Sequence, residues 1–327
     1  MHGYKVSIRL MTYQHEATIR QALDSILMQE TDFPVEVVIG DDLSTDGTPE
    51  IIRSYASTEK IHLKVLDRHQ GDAYWTERQK CGRLYNFEDI VRNCSGRYIA
   101  LLDGDDYWLD PLKLQKQVDF LDAHPDAGMV YTDNLVLLQE TGKTIEKKYV
   151  QADDGDLLFE RLLMKNHIPT PTVMVRSGLL LDAMEDLEKN IRVHKIMDYP
   201  LWLSISRTSK IGHIPRITAV YRQQEHTASR PDTLEKKYDY IRNVHEIRMR
   251  FCELAGVDPE RIREIELNYY RKKLFYAFRE GDRGTAEESA GMIRSLNGRL
   301  SLRDRLKRLG TRNACLNGLL KKIVMEK

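Results

Sequence analysis

The chain has 327 residues with 50 basic and 50 acidic side chains; 41% are hydrophobic and 31% charged, and Gly and Pro number 19 and 10. That length allows two domains, or one large domain with an appendage, and it suffices to bury a full core. The composition excludes a collagen-like or low-complexity chain, and zero net charge argues against a protein that coats nucleic acid over its whole surface.

In chain order, Met1 to Lys5 runs directly into a strand pattern over Val6–Met11, with no signal-peptide pattern before it. Ile19, Ala22, Leu23, Ile26 and Leu27 follow a helical stripe. Val35–Gly40 is a β-branched strand, and Thr48-Pro49 starts a helix with a capping hydroxyl and Pro at the first position. A strand is predicted over Ile61–Leu66, a helix over Thr76–Asn93 and a buried strand over Tyr98–Leu102. Asp110-Pro111 starts another helix, and Gly128–Leu138 is a further strand. Beyond about residue 150 the pattern is irregular, with short elements around Leu157–Lys165, Thr172–Arg176, Tyr199–Ser206 and Ile217–Arg222. After Ser229 strand signals stop, and charged helical sequence with a cap at Asp258-Pro259 runs to the end. The expected fold class is therefore α/β, a Rossmann-like, mostly parallel sheet with helices on both faces, plus a C-terminal helical region. The expected domains are 1–228 and 229–327.

Cys81, Cys94, Cys252 and Cys315 form no CxxC pair and fit no zinc-site spacing. Few, scattered thiols suit a reducing cytosol. No apolar run approaches the roughly 18 residues of a membrane span. A cytoplasmic protein is expected.

Ligands of parallel α/β sheets bind beyond the carboxyl ends of the strands. Three strands here end in polar or acidic residues: Met11-Thr12-Tyr13, Asp41-Asp42, and Asp103-Gly104-Asp105-Asp106. Adjacent carboxylates repel unless a cation or protons intervene. Hard divalent cations take oxygen ligands, and Mg²⁺ commonly uses one or two carboxylates plus substrate phosphates. A metal site for a diphosphate is one reading of Asp103–Asp106; an acidic turn is the other. Asp42 could accept from a ribose or a base N–H, whereas Asp46-Gly47-Thr48 reads as a turn capping the next helix. Lys80, Arg83 and Asn86 lie on one predicted helix, with Lys80 and Arg83 on a shared face; they could neutralise phosphate, although a solvated helix face is the more common outcome.

Together, Val6–Tyr13, the octet Asp41-Asp42-Leu43-Ser44-Thr45-Asp46-Gly47-Thr48, and Gly96–Trp108 with its Asp-x-Asp-Asp resemble family 2 glycosyltransferases of the GT-A fold. The likeness extends through Leu114–Gln117 and Val130–Asp133, strongly over 5–135 and loosely over 135–229. It implies an inverting transferase using a nucleotide-diphospho-sugar and a divalent metal, Mn²⁺ or Mg²⁺. Carried over by position, Asp42 would contact the base, Thr12 and Tyr13 would line the nucleotide pocket, and Asp103 would approach the ribose. Asp105 would ligate the metal, with Asp106 completing the motif. The family's general base falls on Asp198 in Met197-Asp198-Tyr199-Pro200-Leu201-Trp202, where Met197 replaces the usual acidic neighbour; a helix cap is the competing role. In Tyr221-Arg222-Gln223-Gln224-Glu225-His226, Gln224 holds the usual His position, so either His226 serves the metal or diphosphate or that ligand is lost. Met11 and Leu43 stand where Pro and Gly are common.

A UDP-sugar is the expected donor, because an acidic residue at 42 suits a uracil N–H, and the resemblance points to a surface-glycan or lipid-linked saccharide acceptor. A nucleotidyltransferase would need a Gly-rich phosphate loop after the first strand, and Arg9–Gln14 has no glycine. A non-enzymatic metal- or phosphate-binding module is the other rival.

From Met292 to Lys327 ten Lys/Arg face two acids, so the neutral total hides an acidic body and a basic tail. Leu302, Leu306, Leu309, Leu316, Leu320 and Ile323, with Asn313 in the gap, form an amphipathic stripe. It would suit an anionic membrane surface through 299–327, on the inner face of the plasma membrane. It would equally suit a helix docked on the body, or a seam between two copies. No nucleic-acid motif accompanies it.

Overall fold

The structure, a computed structural model, describes residues 3–149, 155–191, 196–224, 232–312 and 317–321. The chain forms two compact units, Met1–Gln224 and Glu225–Lys327.

The first unit runs β1 (Val6–Thr12), α1 (Ile19–Leu27), β2 (Val35–Asp41), α2 (Thr48–Arg53), β3 (Ile61–Val65), α3 (Ala73–Cys81), α4 (Tyr85–Arg92), β4 (Tyr98–Asp103) and β5 (Tyr107–Trp108). It continues with α5 (Lys113–Ala123), β6 (Ala127–Leu138), β7 (Lys143–Lys147), α6 (Gly155–Met164), a 3-10 turn at Thr170–Thr172, β8 (Met174–Arg176), α7 (Ser177–Asn190), α8 (Asp198–Thr208) and β9 (Lys210–Gln223). One sheet has the order β3-β2-β1-β4-β8-β6-β9-β5, with β7 on β6. The β3-β2-β1-β4 portion is parallel as expected. Beyond it the sheet is mixed: β8 runs antiparallel to β4 and β6, β9 parallel to β6, and β5 antiparallel to β9. Strand direction there is invisible in sequence, since a strand as short as Met174-Val175-Arg176 shows burial but not orientation.

Alternation along β1 sorts its side chains. Val6, Ile8 and Leu10 pack with Ile19, Ala22, Leu23 and Ile26 of α1. The opposite face carries Ser7 and Arg9, and Arg9 lies over the Phe87 ring of α4 at 4.8 Å. Helices therefore cover both faces. The helix expected over 76–93 is two helices, α3 and α4. Asp72 caps the first by accepting from the Trp75 N–H at 2.6 Å, and Gly82, at φ 79°, ends it. Lys80, Arg83 and Asn86 consequently share no helix face. Lys80 pairs with Glu77, and Asn86 is buried, donating to the Gly40 carbonyl.

The second unit comprises α9 (Leu234–Ala255), α10 (Pro259–Glu280), α11 (Arg283–Asn297) and α12 (Leu302–Gly310). Thr233, Asp258, Asp282 and Ser301 cap their N-termini by accepting backbone N–H groups. Its core includes Leu267, Leu274, Ala277, Ala286, Ala290 and Ile293. The tail helix α12 is docked within this unit: Arg308 and Arg312 pair with Glu287 of α11, and buried Asp304 faces Arg271 of α10 at 3.5 Å. Leu302, Leu309 and Leu319 remain exposed while Leu320 is buried. Asn313, Leu316 and Ile323 of the expected stripe lie outside the described residues. No described helix is long and apolar enough to cross a membrane.

Candidate active site

The site is assembled on the end of β1. The Gly104 N–H donates to the Met11 carbonyl at 2.8 Å, and the Asp42 N–H donates to the Thr12 carbonyl at 2.9 Å. Both acidic loops are thus stitched to one strand terminus. Buried Thr12 meets His15 (Oγ1 to Nδ1, 3.1 Å). A Cβ at Gly104 would lie 2.7 Å from that His15 nitrogen and 2.9 Å from Thr12 Oγ1, so the acidic turn closes here only because residue 104 is glycine. Tyr13 stands exposed.

Asp42 has partners from α3 that are distant in sequence. Arg78 of α3 grips the carboxylate with Nε and Nη2 at 2.9 Å, and the Tyr74 hydroxyl donates to it at 2.6 Å. Burial and the Asp42 hydrogen bond push the Tyr74 phenol up, keeping it a donor. Asp41 turns to Ser44 instead, accepting from its N–H at 2.8 Å and its hydroxyl at 2.5 Å. Asp46 forms the expected turn, accepting from the Thr48 and Glu16 N–H groups at 3.1 Å. Leu43, in the position where Gly is common, has φ 63°.

The carboxylates of the second loop occupy distinct environments. Asp103, at 27% side-chain exposure, accepts from fully buried Arg9 at 2.5 Å. Asp105 accepts no side-chain hydrogen bond from another described residue; burial and the Asp103 charge push it up, while His15 and Arg222 oppose them. Asp106 is buried and accepts from the Arg222 N–H of β9 at 2.7 Å, and burial with two neighbouring carboxylates raises it well above the ordinary range. The Arg222 guanidinium donates to the Asp105 carbonyl at 2.7 Å. Asp106 therefore ties the turn to β9, whereas Asp105 makes no such side-chain tie among the described residues.

Asp198 begins α8, with Pro200 in the first turn. Burial pushes it up, and the Asp103 charge adds to the rise, while the Tyr199 N–H, Thr170 and Arg9 oppose it. Thr170 donates to it at 3.4 Å. The fold thus brings Asp198 into the electrostatic reach of a loop distant in sequence. His226 lies outside the described residues.

Among the described residues no three His, Cys, Asp or Glu side chains converge as a metal site. The donor set nonetheless fits a hard cation shared with a diphosphate. Asp105 offers carboxylate oxygens crowded by like charge, and such cations take one or two carboxylates plus phosphate oxygens.

A mixed α/β sheet with acidic loops at the carboxyl edge of its parallel strands defines an α/β protein with a ligand site at that edge. The chain matches the glycosyl transferase family 2 profile over residues 7–134. The teichuronic acid biosynthesis glycosyltransferase TuaG of Bacillus subtilis, whose assignment is itself provisional, is 30% identical over 201 residues, 61% of this chain and 71% of that one. The chain belongs to that family. An uncharacterised protein of Mycobacterium tuberculosis is 35% identical over 221 residues, 68% of this chain but only 59% of that relative's length. Among solved structures, Staphylococcus aureus TarS 1–349 in complex with UDP-GlcNAc aligns with TM-score 0.52 at 16% identity, covering 97% of this chain and 92% of that one. The fold is accordingly GT-A.

Arg9, His15, Tyr74, Arg78 and Thr170 were missed in the sequence. Arg9 carried a signal: a cation inside the apolar run Val6–Leu10. The others gave none, being ordinary polar residues until folding brings them to the strand ends.

Proposed function

We propose that the chain transfers a sugar, with inversion, from a nucleotide-diphospho-sugar to a hydroxyl of a surface-glycan or lipid-linked saccharide, on the inner face of the plasma membrane. The first unit is the catalytic domain. The observation that carries the reading is that Asp198, at the start of α8, lies within electrostatic reach of Asp103, since direct displacement needs a base opposite the leaving diphosphate.

In this reading Asp42 and Arg78 hold the base, Thr12 and Tyr13 line its pocket, and Asp103 takes a ribose hydroxyl. A uracil suits Asp42, because Oδ1 already accepts from Tyr74 and Arg78 and Oδ2 from Arg78, leaving room for a single base N–H rather than the two adjacent donors of guanine. The likeness to TarS, solved in complex with UDP-GlcNAc, supports the same choice. A mannosyltransferase of Pyrobaculum calidifontis in complex with GDP-Man and Mn²⁺ (TM-score 0.50) shows why the nucleotide needs direct measurement. Mn²⁺ or Mg²⁺ would be held by Asp105 and donor phosphates, where it supplies charge neutralisation for the diphosphate. Asp198 removes the acceptor proton as that oxygen attacks the anomeric carbon. Its raised affinity for a proton suits a base, and such groups contribute about 10²–10⁴-fold. Exposed Leu302 and Leu309 beside Arg303 and Arg305 support membrane contact by the tail.

The test is nucleotide release from UDP- and GDP-sugars with Mn²⁺, with and without saccharide acceptors. Absence of release from every donor would sink the enzymatic reading.

A further inference from the structure

Arg9 is fully buried in the middle of β1. Its register partners are Val38 on β2 and Leu101 on β4, both aliphatic, and Phe87 covers it. Only Nη1 has a hydrogen-bond partner, Asp103 at 2.5 Å; Nε and Nη2 are buried with none among the described residues. Taking a guanidinium out of water and leaving two of its nitrogens unanswered is costly, and an aliphatic or Met side chain of similar volume would suit the neighbours better. Packing therefore does not explain the residue. What it touches does: Arg9 fixes one Asp103 oxygen, Oδ1, while 27% of that side chain stays exposed.

We propose that Arg9 is a positioning residue of the donor site, a sheet-embedded cation that holds the Asp103 carboxylate in place for a ribose hydroxyl and offsets the negative charge shared by Asp103 and Asp198. The inference rests on the nucleotide-sugar reading of the site. Arg9 itself meets no substrate. It acts through Asp103, and because a single N–H makes the contact, a lysine ammonium can replace it in part.

The experiment is calorimetric titration of the full chain with UDP and Mn²⁺, alongside thermal unfolding, for wild type, R9M, R9K, D103N and R9M/D103N. R9M is expected to bind UDP about ten-fold more weakly, the scale of one well-placed charge-assisted hydrogen bond, whereas R9M/D103N, which removes both partners, should melt no lower than D103N. R9K should recover most of that loss. In the D103N background R9M should have no further effect, because residues acting through one another are not additive. An R9M/D103N chain that melts well below D103N, an R9M chain that binds UDP as wild type does, or an R9M loss that adds in full to that of D103N overturns the proposal. If wild type itself binds no UDP, the underlying reading falls and takes the inference with it, an outcome distinct from equal binding by wild type and R9M.

Discussion

Asp105 and Asp198 both hold protons more tightly than an ordinary aspartate, chiefly because burial disfavours their charge. A carboxyl group raised in the folded state binds protons more tightly there than in the unfolded chain. Its contribution is most favourable in acid and is lost as pH rises from the unfolded value through the raised one. At neutral pH each group therefore strains the fold. D105N and D198N are expected to raise the melting temperature at pH 7, with the gain vanishing toward pH 4, while transfer falls about 10²–10⁴-fold in D198N. A lower melting temperature at pH 7 in both variants would contradict this account. The same direction fixes the pH profile. The base must be ionised, so the acid limb of kcat should lie above the range of an unperturbed aspartate, and a limb near pH 4 argues against Asp198. Leu43 offers a conformational test. Its φ of 63° is a region that costs an L-residue about 1–2 kcal/mol and penalises β-branching most. Urea unfolding should show L43V less stable than wild type by the added penalty of β-branching, and L43G, which sheds the cost, no less stable than wild type.

At the scale of elements, the turn before β8 couples the two halves of the site. The Trp108 indole N–H donates to the Pro171 carbonyl at 2.9 Å. The Gln117 amide donates to the Thr172 carbonyl at 2.9 Å, and Lys113 donates to Gln117 at 2.6 Å while lying 4.4 Å over the Trp108 ring. Burial pushes Lys113 down to about 7, so this cation is easily discharged. Between those anchors Thr170 reaches Asp198. W108F leaves the Pro171 carbonyl unpaired, at about 1–3 kcal/mol. It should lower kcat through the displaced Thr170 while leaving the donor KM nearly unchanged; a rise in KM with unchanged kcat would place the turn on the donor side instead. The strands and helices from β1 to β4 were legible because each carries a full period of its pattern. β5, at two residues, and exposed β7 carry none, and the α3–α4 break hung on Gly82. The acidic loops were legible as motifs. Their partners were not, since Arg78 meets Asp42 and Arg222 meets Asp106 only through tertiary folding, and Arg9 violates the apolar pattern that made β1 readable.

At the scale of the whole molecule, the zero net charge conceals an uneven tail, and the structure divides its cations into two sets. Arg308 and Arg312 are paired with Glu287, and Lys307 faces Asp304 at 3.9 Å. Arg299, Arg303 and Arg305 have no ion-pair partner among the described residues, and exposed Leu302 sits in their midst. Paired cations attract a membrane weakly because their fields are cancelled at short range. Arg299, Arg303 and Arg305 retain theirs, each contributing about 1 kcal/mol near an anionic surface. Replacing all three with Gln should therefore weaken binding to phosphatidylserine-rich vesicles by up to about 10²-fold in a sedimentation assay. Wild-type binding should itself fade as salt shortens the Debye length below about 10 Å. L302S should reduce binding through lost apolar insertion without changing the salt slope, because it removes area and not charge. Equal binding to phosphatidylcholine and phosphatidylserine vesicles, or a triple variant that binds as wild type does, would remove the tail as a membrane contact and leave α12 as a helix that serves only its own unit.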